Sequence, residues 1–128
     1  MSTNVNNDEL TVITVSFHSE HIIEDLIQTI KNNIKILIIE NSLNIKFKLE
    51  IEKKYKNVQV IIPEKNLGVG GGINLGFSLV KTKFAIHLSA DTVPEKDMIN
   101  ILLEHAKKIK DFSVLAPKIK NFKYEDEL

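Results

Sequence analysis

All five glycines of the chain fall within the segment Asn66-Leu67-Gly68-Val69-Gly70-Gly71-Gly72-Ile73-Asn74-Leu75-Gly76. Glycine tolerates positive φ and lets backbone amides approach a ligand, and a helix that begins in such a segment points its N-terminus at an anion such as a diphosphate. The spacing matches neither common phosphate loop. The lysine-serine ending of a nucleoside-triphosphate loop is missing, and a GxGxxG run begun at Gly68 meets Ile73 where its third glycine should stand. Glycines placed for a tight turn and close helix packing would look the same.

A second candidate is Asp91, in Ser89-Ala90-Asp91, directly after the apolar run Phe84–Leu88. A carboxylate at a strand end can hold Mg²⁺ or Mn²⁺, with diphosphate oxygens and water filling the other positions and the ion offsetting their charge. An aspartate there can equally be a turn or helix-entry residue. Ser16 and Glu40 close two further apolar runs, and Glu40 could accept hydrogen bonds from a ribose or a base. The histidines offer less. His87 reads as a core or sheet-face residue within a strand, His105 as a solvated helix position and His21 as a helix start. No histidine pair has metal-ligating helical spacing, and there is no GxSxG nucleophile turn.

The charge inventory limits how an anion could be held. Seventeen basic residues, all of them lysine, balance seventeen acidic ones. Neutrality argues against a nucleic-acid binder working through bulk positive charge. Without the planar guanidinium fork, a phosphate must be met by lysine, backbone N–H groups or a metal. The lack of cysteine excludes disulfides, thiolate metal sites and a cysteine nucleophile. With 43% hydrophobic and 27% charged residues the composition is that of a globular protein. No run reaches the ~18–20 apolar residues of a transmembrane segment, and the start MSTNVNNDE lacks a secretory pattern, so a cytoplasmic location is predicted.

The elements that must position these residues follow from periodicity. Residues 1–9 are polar and read as a frayed N-terminus. Leu10–Ser16, Ile34–Ile39, Val58–Ile62 and Phe84–Leu88 are short runs rich in β-branched and aliphatic residues, predicted as buried strands, with a fifth beginning at Val114–Ala116. Ser19 with Glu20 and Glu24 opens a helix that buries Ile22, Ile23, Leu26, Ile27 and Ile30. Residues 44–56 fit strand alternation and helical spacing alike; the need to return the chain for the next strand favours a helix. A third helix is predicted over 72–82 with Ile73, Phe77 and Val80 inward. A fourth is opened by the capping-box spacing of Thr92 and Glu95 with Pro94, and buries Met98, Ile99, Leu102, Leu103, Ala106 and Ile109. Alternating strands and helices predict an α/β fold: one domain over 10–119 built on a mostly parallel open sheet with helices on both faces, and a solvated tail over 120–128. Ligands bind such sheets beyond the carboxyl ends of the strands, where Ser16, Glu40, the Asn66 segment and Asp91 all fall.

Together these pieces resemble the beginning of the family 2 glycosyltransferases, the rhamnosyltransferase-like group in particular. The resemblance covers residues 10–117 and rests on Val15-Ser16-Phe17-His18-Ser19-Glu20, on Ile38-Ile39-Glu40-Asn41-Ser42, and most specifically on Asn66-Leu67-Gly68 through Asn74-Leu75-Gly76 followed by Ser89-Ala90-Asp91-Thr92-Val93-Pro94. It implies the Rossmann-like nucleotide-binding half of a GT-A fold and a nucleotide-diphosphate sugar as ligand. Ser16, Glu40, Asn66, Gly68 and Asn74 would be binding positions and Asp91 the acid for Mg²⁺ or Mn²⁺. Two residues depart from the pattern: Ser89 stands where the family has aspartate or asparagine, and His18 replaces an asparagine.

The family's catalytic base and acceptor-binding elements would lie beyond Leu128, so the chain is expected to supply the donor-binding part of an inverting transferase. Its catalytic residue is left unassigned, and its acceptor, a glycan or lipid-linked glycan, is unspecified. Glu125, Asp126 and Glu127 come too early for that base and read as a solvated terminus. A noncatalytic nucleotide-sugar-binding module is the alternative. A flavodoxin-like regulatory domain is disfavoured, because the first strand does not end in the acidic pair such domains use for metal.

Overall fold

Strands that are aliphatic on both sides need cover on both faces, and a parallel sheet with crossover helices supplies it. The computed structural model describes residues 8–118. In chain order it forms β1 (Leu10–Ser16), α1 (Glu20–Thr29), β2 (Lys35–Glu40), α2 (Ile45–Lys54), β3 (Val58–Ile61), α3 (Gly68–Leu79), β4 (Phe84–His87) and α4 (Met98–Lys108). The chain divides into two compact units, Met1–Lys96 with the sheet and first three helices, and Asp97–Leu128 with α4.

The four strands are all parallel in the order β3-β2-β1-β4. From β1 to β3 the chain moves one way across the sheet, and from β3 to β4 it reverses. Right-handed crossovers then put α1 and α2 on one face and α3 on the other, with the reversal between β1 and β4. Both faces are sealed: Val12, Ile13, Ile38 and Ile39 have no exposed surface. The helix favoured for residues 44–56 is present, and Phe47 and Ile51 are its buried face.

Helix α3 begins earlier than its sequence suggests, because its glycines serve contact. A Cβ on Gly76 would lie 2.5 Å from Ile13 Cγ2, and one on Gly72 would lie 2.9 Å from Val15 Cγ1. The inward face is therefore Gly72 and Gly76, with Leu75 and Val80 packed against the cluster of Ile13, Leu37 and Ile39. Phe77, predicted inward, is 47% exposed. Reading glycines as breakers delayed the predicted start to residue 72.

At the outer edge of β3 the polar backbone is covered by α2. Glu52 Oε1 accepts the Val60 N–H at 2.7 Å, Lys48 Nζ donates to the Val60 carbonyl, and the two side chains bridge at 2.8 Å. Open edges invite pairing with other chains, and here the ladder groups of Val60 are already taken. Desolvation pushes the Glu52 carboxyl upward, but the Lys48 hydrogen bond, the Val60 N–H and the Lys48 charge together hold it below its ordinary range.

Two further expectations are corrected. The capping spacing of Thr92 and Glu95 does not start α4: the Thr92 N–H closes a turn onto the Ser89 carbonyl at 3.0 Å, and the helix starts after Asp97, whose φ is 65°. Val114–Ala116 forms no strand; Val114 is 81% exposed, and Pro117, without an N–H, follows immediately. The tail over 120–128, with Glu125, Asp126 and Glu127, lies outside the described residues, as do residues 1–7 of the N-terminus.

The glycine contacts yield a paired test. Gly76→Val should lower unfolding stability in urea by about 1–3 kcal/mol through overpacking against Ile13. Gly70→Ala has open space around its Cβ and should stabilise the chain by about 0.5–1 kcal/mol. Equal effects of the two substitutions would refute the close-packing account of α3.

Candidate functional site

Where the strand order reverses, the loops after β1 and β4 diverge and leave a crevice. A cleft of about 370 Å³ opens there, lined by Val15, Phe17 and Ser19 from β1 and its loop, His87, Ser89 and Asp91 from β4 and its loop, and Asn66, Gly68 and Val69 at the entrance to α3. Val15 lies in β1 and His87 ends β4; Phe17, Ser19, Ser89 and Asp91 come from the loops that follow these strands. Among the described residues Asp91 is the one carboxylate on the cleft, and no lysine lines it.

The cleft walls are tied by local hydrogen bonds. Asn41, buried just past β2, donates its backbone N–H to the Ser16 carbonyl at 2.8 Å and its side-chain Nδ2 to the Gly68 carbonyl at 2.9 Å, and accepts the Leu67 N–H at 3.3 Å. The Gly68 N–H is taken by Asn66 Oδ1 at 2.8 Å, which fixes this glycine at φ 68°. The first amides of a helix lack intrahelical partners, so those after Gly68 remain to meet a ligand.

The β1 and β2 loops hold each other. Glu40 Oε1 accepts the Ser42 N–H at 2.8 Å, and Ser42 Oγ accepts the His18 N–H at 2.7 Å. His18 and Leu43 adopt left-handed φ values of 52° and 62°, uncommon for residues with a side chain. Phe17 is left 53% exposed on the cleft, its ring 4.4 Å from that of His18. Glu20, which opens α1, accepts a hydrogen bond from Asn44 at 2.9 Å, and this bond more than any other influence lowers its carboxyl pKa.

The residues singled out in the sequence divide into three groups. Asn66, Gly68 and Asp91 come together on the cleft. Ser16 and Glu40 are register partners at the carboxyl ends of β1 and β2 but are completely buried, outside the cleft lining, and leave Ser16 Oγ and Glu40 Oε2 without a hydrogen-bond partner. Asn74 is on the exposed side of α3, also outside the lining. His105 is exposed as expected, and His21 lies in the first turn of α1, where it was placed. Phe17, Asn41 and His87 are the positions the sequence reading left out. For Phe17 and His87 the available signal was their place at or just past the carboxyl ends of β1 and β4. Asn41 had none beyond its place in the second motif.

Residues 11–126 match the sequence profile of glycosyl transferase family 2. The chain belongs to that family. No curated protein sequence matches it. Among solved structures, the same fold recurs in TarS of S. aureus, at TM-score 0.66 and 18% identity over 78% of this chain. The TarS fragment 1–349 superposes with TM-score 0.68 at 17% identity over 92% of this chain, and the same fragment in complex with UDP with 0.67 at 17% over 92%. The family 2 chain described here spans 20% of the first TarS chain and 40% of the other two. The GT-A, Rossmann-like α/β fold is thereby established. Among the described residues no helix is long and apolar enough to cross a membrane.

Within this family 2 cleft, His87 is the titratable group that its surroundings perturb: burial lowers its pKa from an ordinary value of 6.5. A base whose folded-state pKa is depressed contributes stability above its unfolded value, and that contribution is lost as the pH falls toward the folded value. The His87 ring should therefore titrate below 6.5 by NMR, and His87→Asn should flatten the acid-side loss of stability that begins near that pH. A midpoint at or above 6.5 would contradict its desolvated placement.

Proposed function

We propose that the cleft between β1 and β4 binds the nucleoside diphosphate portion of a sugar donor for glycosyl transfer. The observation that carries the reading is the meeting, at the reversal of strand order, of an exposed aromatic ring, an α3 entrance held by two asparagines, and a lone carboxylate. Phe17 offers a flat apolar surface for a base. The amides after Gly68 face the charge of the diphosphate. TarS was solved with UDP, which supports a uridine or deoxythymidine diphosphate as the ligand class.

The donor set fits a divalent ion that the ligand helps to hold. Among the described residues no three His, Cys, Asp or Glu side chains group to hold a metal by themselves. Asp91 would supply one oxygen to Mg²⁺ or Mn²⁺, with Ser89 beside it and diphosphate oxygens completing the shell. When bound, the ion offsets the negative charge that builds on the diphosphate as it leaves.

In the transfer, an acceptor hydroxyl attacks the anomeric carbon, the bond from that carbon to the diphosphate oxygen breaks, and the hydroxyl proton goes to a base. Asp91, engaged with the ion, would not serve as that base, and among the described residues no other carboxylate lines the cleft. The same observation favours a second reading, in which the chain binds the nucleotide without transferring sugar. Both readings require the same binding event.

With no arginine in the chain and no lysine on the cleft, nucleotide and metal should bind with positive, reciprocal coupling of about 1–3 kcal/mol. Calorimetric titration with UDP in the presence and absence of Mn²⁺ measures it. Asp91→Asn should abolish the dependence on Mn²⁺. Equal affinity in both conditions, or no loss in the variant, would leave Asp91 as a turn residue.

A further inference from the structure

Gly68 is held at both of its backbone groups by asparagine side chains: its N–H goes to Asn66 Oδ1, and its carbonyl accepts from Asn41 Nδ2. Asn66 lies on the exposed rim and Asn41 is 98% buried, as its 2% exposure requires. From the donor-site reading above, we infer that Asn41 is a positioning residue, which sets the turn at Gly68 and through it the amides that meet the diphosphate.

Geometry specifies an asparagine here. The Leu67 N–H at 3.3 Å requires an acceptor, and the Gly68 carbonyl at 2.9 Å requires a donor; a side-chain amide supplies both from one planar group. An aspartate would turn an acceptor onto that carbonyl. A shorter side chain would leave the part-buried Leu67 N–H and the Gly68 carbonyl without this partner. The Asn41 backbone N–H is fixed in turn to the Ser16 carbonyl at 2.8 Å, so one residue joins the ends of β1 and β2 to the entrance of α3. Gly72 preserves the space for it, since a Cβ there would lie 3.3 Å from Asn41 Nδ2 as well as against Val15. Asn41 lines the cleft, but it is almost fully buried and its side-chain amide is already engaged by the Leu67 N–H and the Gly68 carbonyl, so it acts through Gly68.

The experiment compares uridine with UDP, each titrated into the wild-type chain, Asn41→Ala and Gly68→Ala at fixed Mn²⁺, with circular dichroism to verify folding. Uridine reports the base and ribose part, and the ratio of the two dissociation constants reports the diphosphate part. Asn41→Ala should reduce the preference for UDP over uridine by about tenfold while uridine affinity stays within about twofold, the scale expected from unpairing one buried hydrogen-bonding group. Gly68→Ala, which strains the same turn from inside, should do likewise and serves as the test if Asn41→Ala does not fold. Loss of uridine and UDP affinity in equal proportion, or an unchanged preference in a folded variant, would overturn the positioning role alone. A wild-type chain that binds neither compound would overturn the donor-site reading, and this inference with it.

Discussion

The absence of two side chains, at Gly72 and Gly76, lets α3 lie directly on β1, and the site depends on that contact. With Ile13 and Val15 filling the space a Cβ would occupy, the helix axis is drawn onto the sheet. Its entrance at Gly68 then stands beside the reversal of strand order, and the first turn contributes to the same cleft as the loops after β1 and β4. Glycine in a helix costs up to about 1 kcal/mol relative to alanine. Burial of the aliphatic sheet face beneath α3 offsets that cost.

The electrostatics follow from what the cleft lacks. Among the described residues that line it there is no lysine, and the polar groups an anion could meet are amides, uncharged side chains, His87 and the carboxylate of Asp91, set among the apolar side chains of Val15, Phe17, Ile22 and Val69. The loops around it are held in shape by backbone-directed hydrogen bonds, Glu40 to Ser42, Ser42 to His18, and Asn41 to Leu67 and Gly68. These bonds maintain the left-handed residues His18, Leu43 and Gly68. Such conformations cost of order 1–3 kcal/mol at a residue with a side chain and persist where the surroundings enforce them.

Much of this was legible in the sequence, for identifiable reasons. The strand runs and the Ile23-Leu26-Ile27 stripe of α1 were readable because burial on one or both faces leaves a period. The carboxyl-edge rule then indicated Asn66, Gly68 and Asp91. What stayed hidden depended on three dimensions. Whether Ser16 and Glu40 face the ligand or the interior is set by the covering helix, and both proved buried. The true start of α3 required knowing that its glycines meet β1. The unformed strand at Val114–Ala116 shows that a short apolar run does not make a strand without a partner ladder.

On the proposed function, the ligand enters at the β1–β4 reversal and nowhere else on the sheet. An isotope-labelled chain titrated with UDP and Mg²⁺, followed through its backbone amide resonances, tests it directly. The account requires the largest shifts at Val15–Ser19, Asn66–Gly70 and His87–Asp91, with the outer face of α2 around Lys46 and Glu50 unmoved. Shifts concentrated at the amino ends of the strands or on α2, with Phe17, Gly68 and Asp91 unchanged, would contradict it.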